Sequence, residues 1–171
     1  VAKASKSRKK RSKKATVPST SEIRIRRQGD LWRLWIDIVP VPASRPRFSR
    51  WGGPYYGKRY TAFREEMAVL LDQTELPVEF PLSGDLEAYV IFGVVKPKTS
   101  KRTSPRGDID NYFKTLDVFN GVVWKDDDQL VGARMSKEFA DIPCIYLEVY
   151  GVPQARALPE MWEQRQSRSV W

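Results

Sequence analysis

Apolar and polar side chains alternate along residues 31–39, where Trp32, Leu34, Ile36 and Ile38 are interleaved with Arg33, Trp35 and Asp37. A two-residue period places each set on its own face of an extended chain and predicts a strand. Pro40 and Pro42 end it. Residues 43–60, dense in Arg, Gly, Pro and aromatics, are expected to form a loop. The period then lengthens. Phe63, Met67, Leu70 and Leu71 make an apolar stripe over residues 61–73, predicting a helix with Thr61 as its N-cap. Residues 86–95, rich in Val, Ile, Tyr and Phe, predict a second strand, followed by a basic loop over 96–107. A second helix is expected from residue 110 to 119, stopped by Asn120-Gly121, and two more strands fit near 129–138 and 144–150. Strands interspersed with two helices give an α+β fold, a single small domain with helices packed on a sheet. It is expected to occupy residues 23–152, between a disordered arm over 1–22 and a tail over 153–171 that is either a short helix or a frayed end.

Charge and composition narrow the chemistry. The formal net charge of +9 is concentrated at one end. Residues 1–20 carry Lys3, Lys6, Arg8, Lys9, Lys10, Arg11, Lys13 and Lys14 and no acid, so taking those eight away leaves about +1 (9 − 8) for the rest. A dense basic arm fits contact with a polyanion, usually nucleic acid, with a solvated tail or a targeting address as the lesser alternative. The chain has no histidine and a single cysteine, Cys144. Histidine-based triads, histidine metal sites and cysteine zinc sites are thereby excluded. Oxygen ligands remain, and these suit Mg²⁺, with Mn²⁺ as a substitute. A lone cysteine forms no internal disulfide, which predicts a cytosolic (cytoplasmic) location. No apolar run approaches the roughly 18 residues of a membrane span, and residues 1–20 lack a secretory apolar stretch, so no membrane partner is expected.

The densest polar cluster is Pro105-Arg-Gly-Asp108-Ile-Asp110-Asn111-Tyr-Phe-Lys114, followed by Trp124-Lys-Asp126-Asp127-Asp128-Gln129. Asp108 and Asp110 share a side if the backbone there is extended, and Asp110 suits the N-cap of the helix that follows. Lys114 and Asp117, four and seven residues after Asp110, continue one helix face. Three adjacent acids at 126–128 repel one another, a cost that a bound cation would offset. Brought together, the two halves supply carboxylates for a divalent ion and a lysine to balance transition-state charge, which are the needs of phosphodiester hydrolysis. Taken by spacing alone, the same residues serve equally as helix caps, a solvated lysine and an exposed acidic turn.

The run Asp108-Ile-Asp110-Asn111-x-x-Lys114, then Asn120-Gly121, then Asp126-Asp127-x-Gln129 resembles the RusA family of Holliday junction resolvases. Upstream, Pro42-Ala-Ser-Arg45-Pro46-Arg47-Phe48 is similar to that family's basic loop, and the resemblance spans residues 32–150. It implies a small α+β homodimer with a mixed sheet and two main helices, cutting four-way DNA junctions with a divalent metal. It further implies metal-linked catalytic aspartates at Asp108, Asp110 and Asp127, a catalytic lysine at Lys114, and accessory roles for Asp126 and Asp117. The third aspartate is placed by counting back from Gln129. The segment between Lys114 and Asn120 is one residue shorter than the family pattern, so Asp117 is out of step with the family's helix aspartate.

Two basic groups would hold DNA phosphates: Arg45, Arg47, Arg50, Lys58 and Arg59, and Lys96, Lys98, Lys101, Arg102 and Arg106. Phe48, Trp51, Tyr55 and Tyr56 interleave with the first group and suit either stacking on unpaired bases or loop packing. The competing class is a non-catalytic protein that binds branched or single-stranded nucleic acid, its acids serving only as caps and turns.

Overall fold

The structure is a computed structural model that describes residues 21–49 and 52–152. Residues 1–20 of the expected arm over 1–22, and the tail from 153, lie outside the described residues. Five strands form one sheet: β1 (Ile23–Gln28), β2 (Leu31–Ile36), β5 (Leu86–Val95), β6 (Leu130–Ala140) and β7 (Cys144–Gly151), in the order β1-β2-β7-β5-β6. All pairs are antiparallel except β5 with β6. The fold is the expected α+β domain with a mixed sheet. β1 is an additional strand, turned into β2 at Gly29, whose φ of +60° is a conformation glycine adopts without strain.

One sheet face is apolar because the alternation holds in every central strand. Trp32, Leu34 and Ile36 of β2, Ala88, Val90 and Phe92 of β5, and Ile145, Leu147 and Val149 of β7 are all buried. The helix α1 (Lys58–Asp72) adds Tyr60, Phe63, Met67, Leu70 and Leu71 to that core. It begins earlier than expected: its N-cap is Gly57, and Thr61 lies inside the first turns, where its hydroxyl donates back to the Gly57 carbonyl at 3.4 Å. The segment expected to be a loop carries a two-stranded ribbon, β3 (Arg47–Ser49) with β4 (Gly52–Tyr55). The first strand also ends at Ile36, not at Val39, although Ile38 stays in the core.

A parallel strand pair cannot be joined by a tight turn, and here the crossover from β5 to β6 is the acidic segment itself. It runs through the loop over 96–108, the short helix α2 (Ile109–Phe113), a 3₁₀ segment (Lys114–Phe119) and a 3₁₀ turn (Asp127–Gln129). Tyr112, Leu116 and Phe119 fasten this crossover to the core. Behind them Trp124, with no exposed surface, packs edge-on to Phe119 at 5.5 Å. Its indole N–H donates to Asn120 Oδ1 at 2.7 Å, satisfying the only polar atom on that side chain. The stop at Asn120-Gly121 is as expected, with Gly121 at a φ of +75°.

Candidate active site

The N-cap of α2 is Asp108, with extended backbone at φ −77° and ψ 142°, and Asp110 sits in the first helical turn. This corrects two expectations: Asp110 is not the cap, and the extended geometry that would align the two acids ends at Asp108. Asp108 makes no capping hydrogen bond with its side chain, so its carboxylate is not used in closing the helix end. Lys114 lies where its spacing placed it, with Nζ 3.3 Å from Asp110 Oδ2. Both side chains are more than half exposed, so the pair contributes little to stability and matters chiefly for where it holds charge.

The second half is a built turn organised by Gln129. Its Oε1 accepts from the backbone N–H groups of Lys125 at 2.7 Å and Asp126 at 3.1 Å. Its Nε2 donates to the carbonyls of Leu82 at 3.3 Å and Gly84 at 2.8 Å. Asp126 caps the 3₁₀ turn by accepting from Asp128 N at 3.3 Å, completing a capping box with Gln129. The Asp128 amide, aided by Asp127, holds the Asp126 carboxyl below the ordinary carboxylate range. The hydrogen bond with Asp126 pushes Asp127 the other way, helped by partial burial and by the charges of Asp126 and Asp128. The two neighbouring carboxyls are thus shifted in opposite directions.

Asp117 links the halves. Partial burial raises its carboxyl above the usual value, the charge of Asp127 raises it further, and Arg64 and Lys114 oppose both. The acids thus fall in two groups, Asp108 and Asp110 with Lys114 at the start of the crossover and the 126–128 turn at its end, and the charges of both Lys114 and Asp127 act on Asp117. They do not meet at a point. Among the described residues no three acidic or cysteine side chains gather closely enough to hold an ion. In kind the donors fit a hard divalent cation, since carboxylate oxygens are what Mg²⁺ and Mn²⁺ take.

Arg64 is a residue that sequence reading missed, because it lies on the polar side of α1 and not in a basic loop. Its guanidinium sits 5.8 Å from the Tyr56 ring centre, and its charge reaches both Asp117 and Tyr60. Of the expected phosphate contacts, Arg45, Arg47, Lys96, Lys98, Lys101, Arg102 and Arg106 are exposed. Lys58 and Arg59 are also exposed, but in the first turn of α1 and not in a loop. Phe48, Tyr55 and Tyr56 are 78%, 49% and 40% exposed, and Tyr56 also packs edge-on against Tyr60 at 5.3 Å. Arg50 and Trp51 lie outside the described residues.

Exposed carboxylates along the crossover, a lysine among them and cations on the flanking loops suit action on phosphodiesters, on a small α+β scaffold. The chain belongs to the RusA family: the family described as Endodeoxyribonuclease RusA matches residues 37–150, which include both halves of the acidic site. A nuclease acting on DNA is therefore the class of enzyme. The chain is also 28% identical over 120 residues to an uncharacterized protein, YqaN, of Bacillus subtilis (strain 168), covering 61% of this chain and 84% of that protein. No helix among the described residues is long and apolar enough to cross a membrane.

Proposed function

We propose that the chain is a Mg²⁺-dependent, structure-selective endodeoxyribonuclease that resolves four-way (Holliday) junctions by paired phosphodiester hydrolysis, in DNA recombination and repair. The observation that carries this reading is the acidic crossover, in which Lys114 pairs with Asp110 and the charges of Lys114 and Asp127 both act on Asp117, bordered by exposed cations. Asp108, Asp110 and Asp127 are the residues that would hold the cation, with Asp117 and Asp126 as accessory acids. Asp127 is favoured over Asp126 because the latter already spends its carboxylate on the cap. Holding one ion requires the two groups of acids to close on each other. A bound divalent ion supplies a lowered pKa for water and polarises the phosphodiester. Lys114 offsets the charge that gathers on the phosphoryl oxygens.

The basic residues position DNA through its backbone, without reading sequence. Phe48, Tyr55 and Tyr56, with Trp51, stack on bases left unpaired at the branch. Two strands of a junction are related by symmetry, so a two-fold homodimer matches the substrate.

Purified protein is expected to nick a synthetic four-way junction at two symmetric positions in Mg²⁺ and to leave linear duplex intact. Equal cutting of both substrates would make it a general nuclease. The second reading, a non-catalytic binder of branched or single-stranded nucleic acid, is favoured by the separation of the acids in a single chain. Such a protein would hold the junction equally well in chelator and leave it whole. Removing residues 1–20, with their eight cations, is expected to flatten the salt dependence of junction binding, since each phosphate contact contributes roughly −0.9 to the log–log slope. An unchanged slope would assign the arm no part in binding.

A further inference from the structure

The loop that delivers Asp108 is held by three consecutive carbonyl groups, and two side chains account for all of them. Lys137, on β6, donates through Nζ to the carbonyl of Pro105 at 3.0 Å and also to that of Gly107. Tyr112 donates its hydroxyl to the carbonyl between them, that of Arg106, at 3.0 Å. The ammonium of Lys137 also lies 6.0 Å from the centre of the Tyr112 ring, and that ring packs on Phe92, the register partner of Lys137 on β5. Lys137 is half-buried and has no carboxylate partner within ion-pair distance among the described residues.

A lysine brought partly out of water without a counter-ion is costly unless its protons are taken up, and here backbone oxygens and a ring face take them. The rest of the loop is fitted around this point. Gly107 has a φ of +97°, and a Cβ there would come within 3.1 Å of the Tyr112 ring and 3.4 Å of Pro42. Pro105 is buried while its neighbours Ser104, Arg106 and Gly107 are exposed, and Ala43 N donates to the Asn111 carbonyl at 2.7 Å.

We propose that Lys137 is a positioning residue of the nuclease site: it clamps residues 105–107 so that Asp108 and Asp110 stand where a cation is held. It acts through the backbone, reaching neither DNA nor the ion itself. The proposal rests on the nuclease reading above, but the clamp has a readout of its own.

The test uses the full chain with Lys137→Met, which keeps the side-chain length and removes the charge and donors, and Lys137→Arg, which restores both. In Lys137→Met, junction affinity in chelator is expected to be unchanged and cleavage at saturating junction to fall about 10- to 100-fold, as for loss of an outer-shell partner, with half-saturation moved to higher Mg²⁺. Amide hydrogen exchange should speed up at residues 106–110 while the sheet exchanges as before, and Lys137→Arg should recover most of both effects. Wild-type turnover and Mg²⁺ dependence in Lys137→Met would overturn the proposal. So would a loss that tracks weaker junction binding with exchange unmoved, since that describes a phosphate contact. If Lys137→Met fails to fold, Tyr112→Phe removes the Arg106 bond while keeping the ring, and the same exchange readout decides. If the wild type cuts no junction, the nuclease reading fails, and the clamp stands or falls on the exchange data alone.

Discussion

An Asp110→Asn chain should cut a four-way junction roughly a thousandfold more slowly than the wild type, about 4 kcal/mol of barrier. Asparagine keeps the shape and removes the charge. The fold should barely register the change, because Asp110 is 64% exposed in its side chain and its bond is to the equally exposed Lys114. Exposed pairs of that kind are worth about 0–1 kcal/mol. The loss therefore belongs to chemistry. Single-turnover cleavage in Mg²⁺ measures it, while gel-shift affinity in chelator and the melting temperature are expected to stay at wild-type values. Residual cutting within tenfold of the wild type would remove Asp110 from the ligand set.

Gln129→Ala is expected to lower the unfolding free energy by about 2–3 kcal/mol, from the loss of up to four hydrogen bonds at roughly 0.5–1.5 kcal/mol each, some of them replaced by water. The amide is the knot of the acidic turn: it receives the N–H groups of Lys125 and Asp126 and gives its own protons to Leu82 and Gly84. Without it, the 126–128 turn loses its tie to the chain ahead of β5, and cleavage should fall along with stability. Urea unfolding checks the first effect, read as a lower midpoint at constant slope. Gln129→Glu separates the two functions of the amide, since a carboxylate accepts but cannot donate. A loss below about 0.5 kcal/mol in Gln129→Ala would mean that water satisfies the turn without help.

Much of this arrangement was legible in the chain because it depends on period and on local spacing. The alternation of Trp32, Leu34 and Ile36 described a buried strand face, and the structure buries all three. The four-residue step from Asp110 to Lys114 described a contact, and the contact exists. What escaped notice depended on partners distant in sequence. The hairpin β3–β4 is short, broken by a bulge and rich in residues that also suit loops. Ile23 and Ile25 alternate with Arg24 and Arg26, but two apolar positions in a short basic run at the edge of the expected domain are too weak a pattern to mark a strand. The α1 start moved to Lys58 because Tyr60 is buried with Phe63, and packing outweighed the capping preference of Thr61. At the site, Gln129 was first a counting mark for Asp127, and its four bonds show why an amide belongs there. Arg64 and Lys137 come from α1 and β6, and no spacing within the acidic motif points to either.

The 3₁₀ segment Lys114–Phe119 has a consequence for how this crossover tolerates change in length. A 3₁₀ helix climbs about 2.0 Å per residue against about 1.5 Å for an α-helix, so its six residues reach roughly 3 Å further than six α-helical ones would. That gain is the reach of about two α-helical residues. A chain one residue short between Lys114 and Asn120 can therefore still span from the lysine to the asparagine by winding more tightly and rising faster. Helix type is thereby an adjustable quantity, since a faster rise per residue offsets a shorter count.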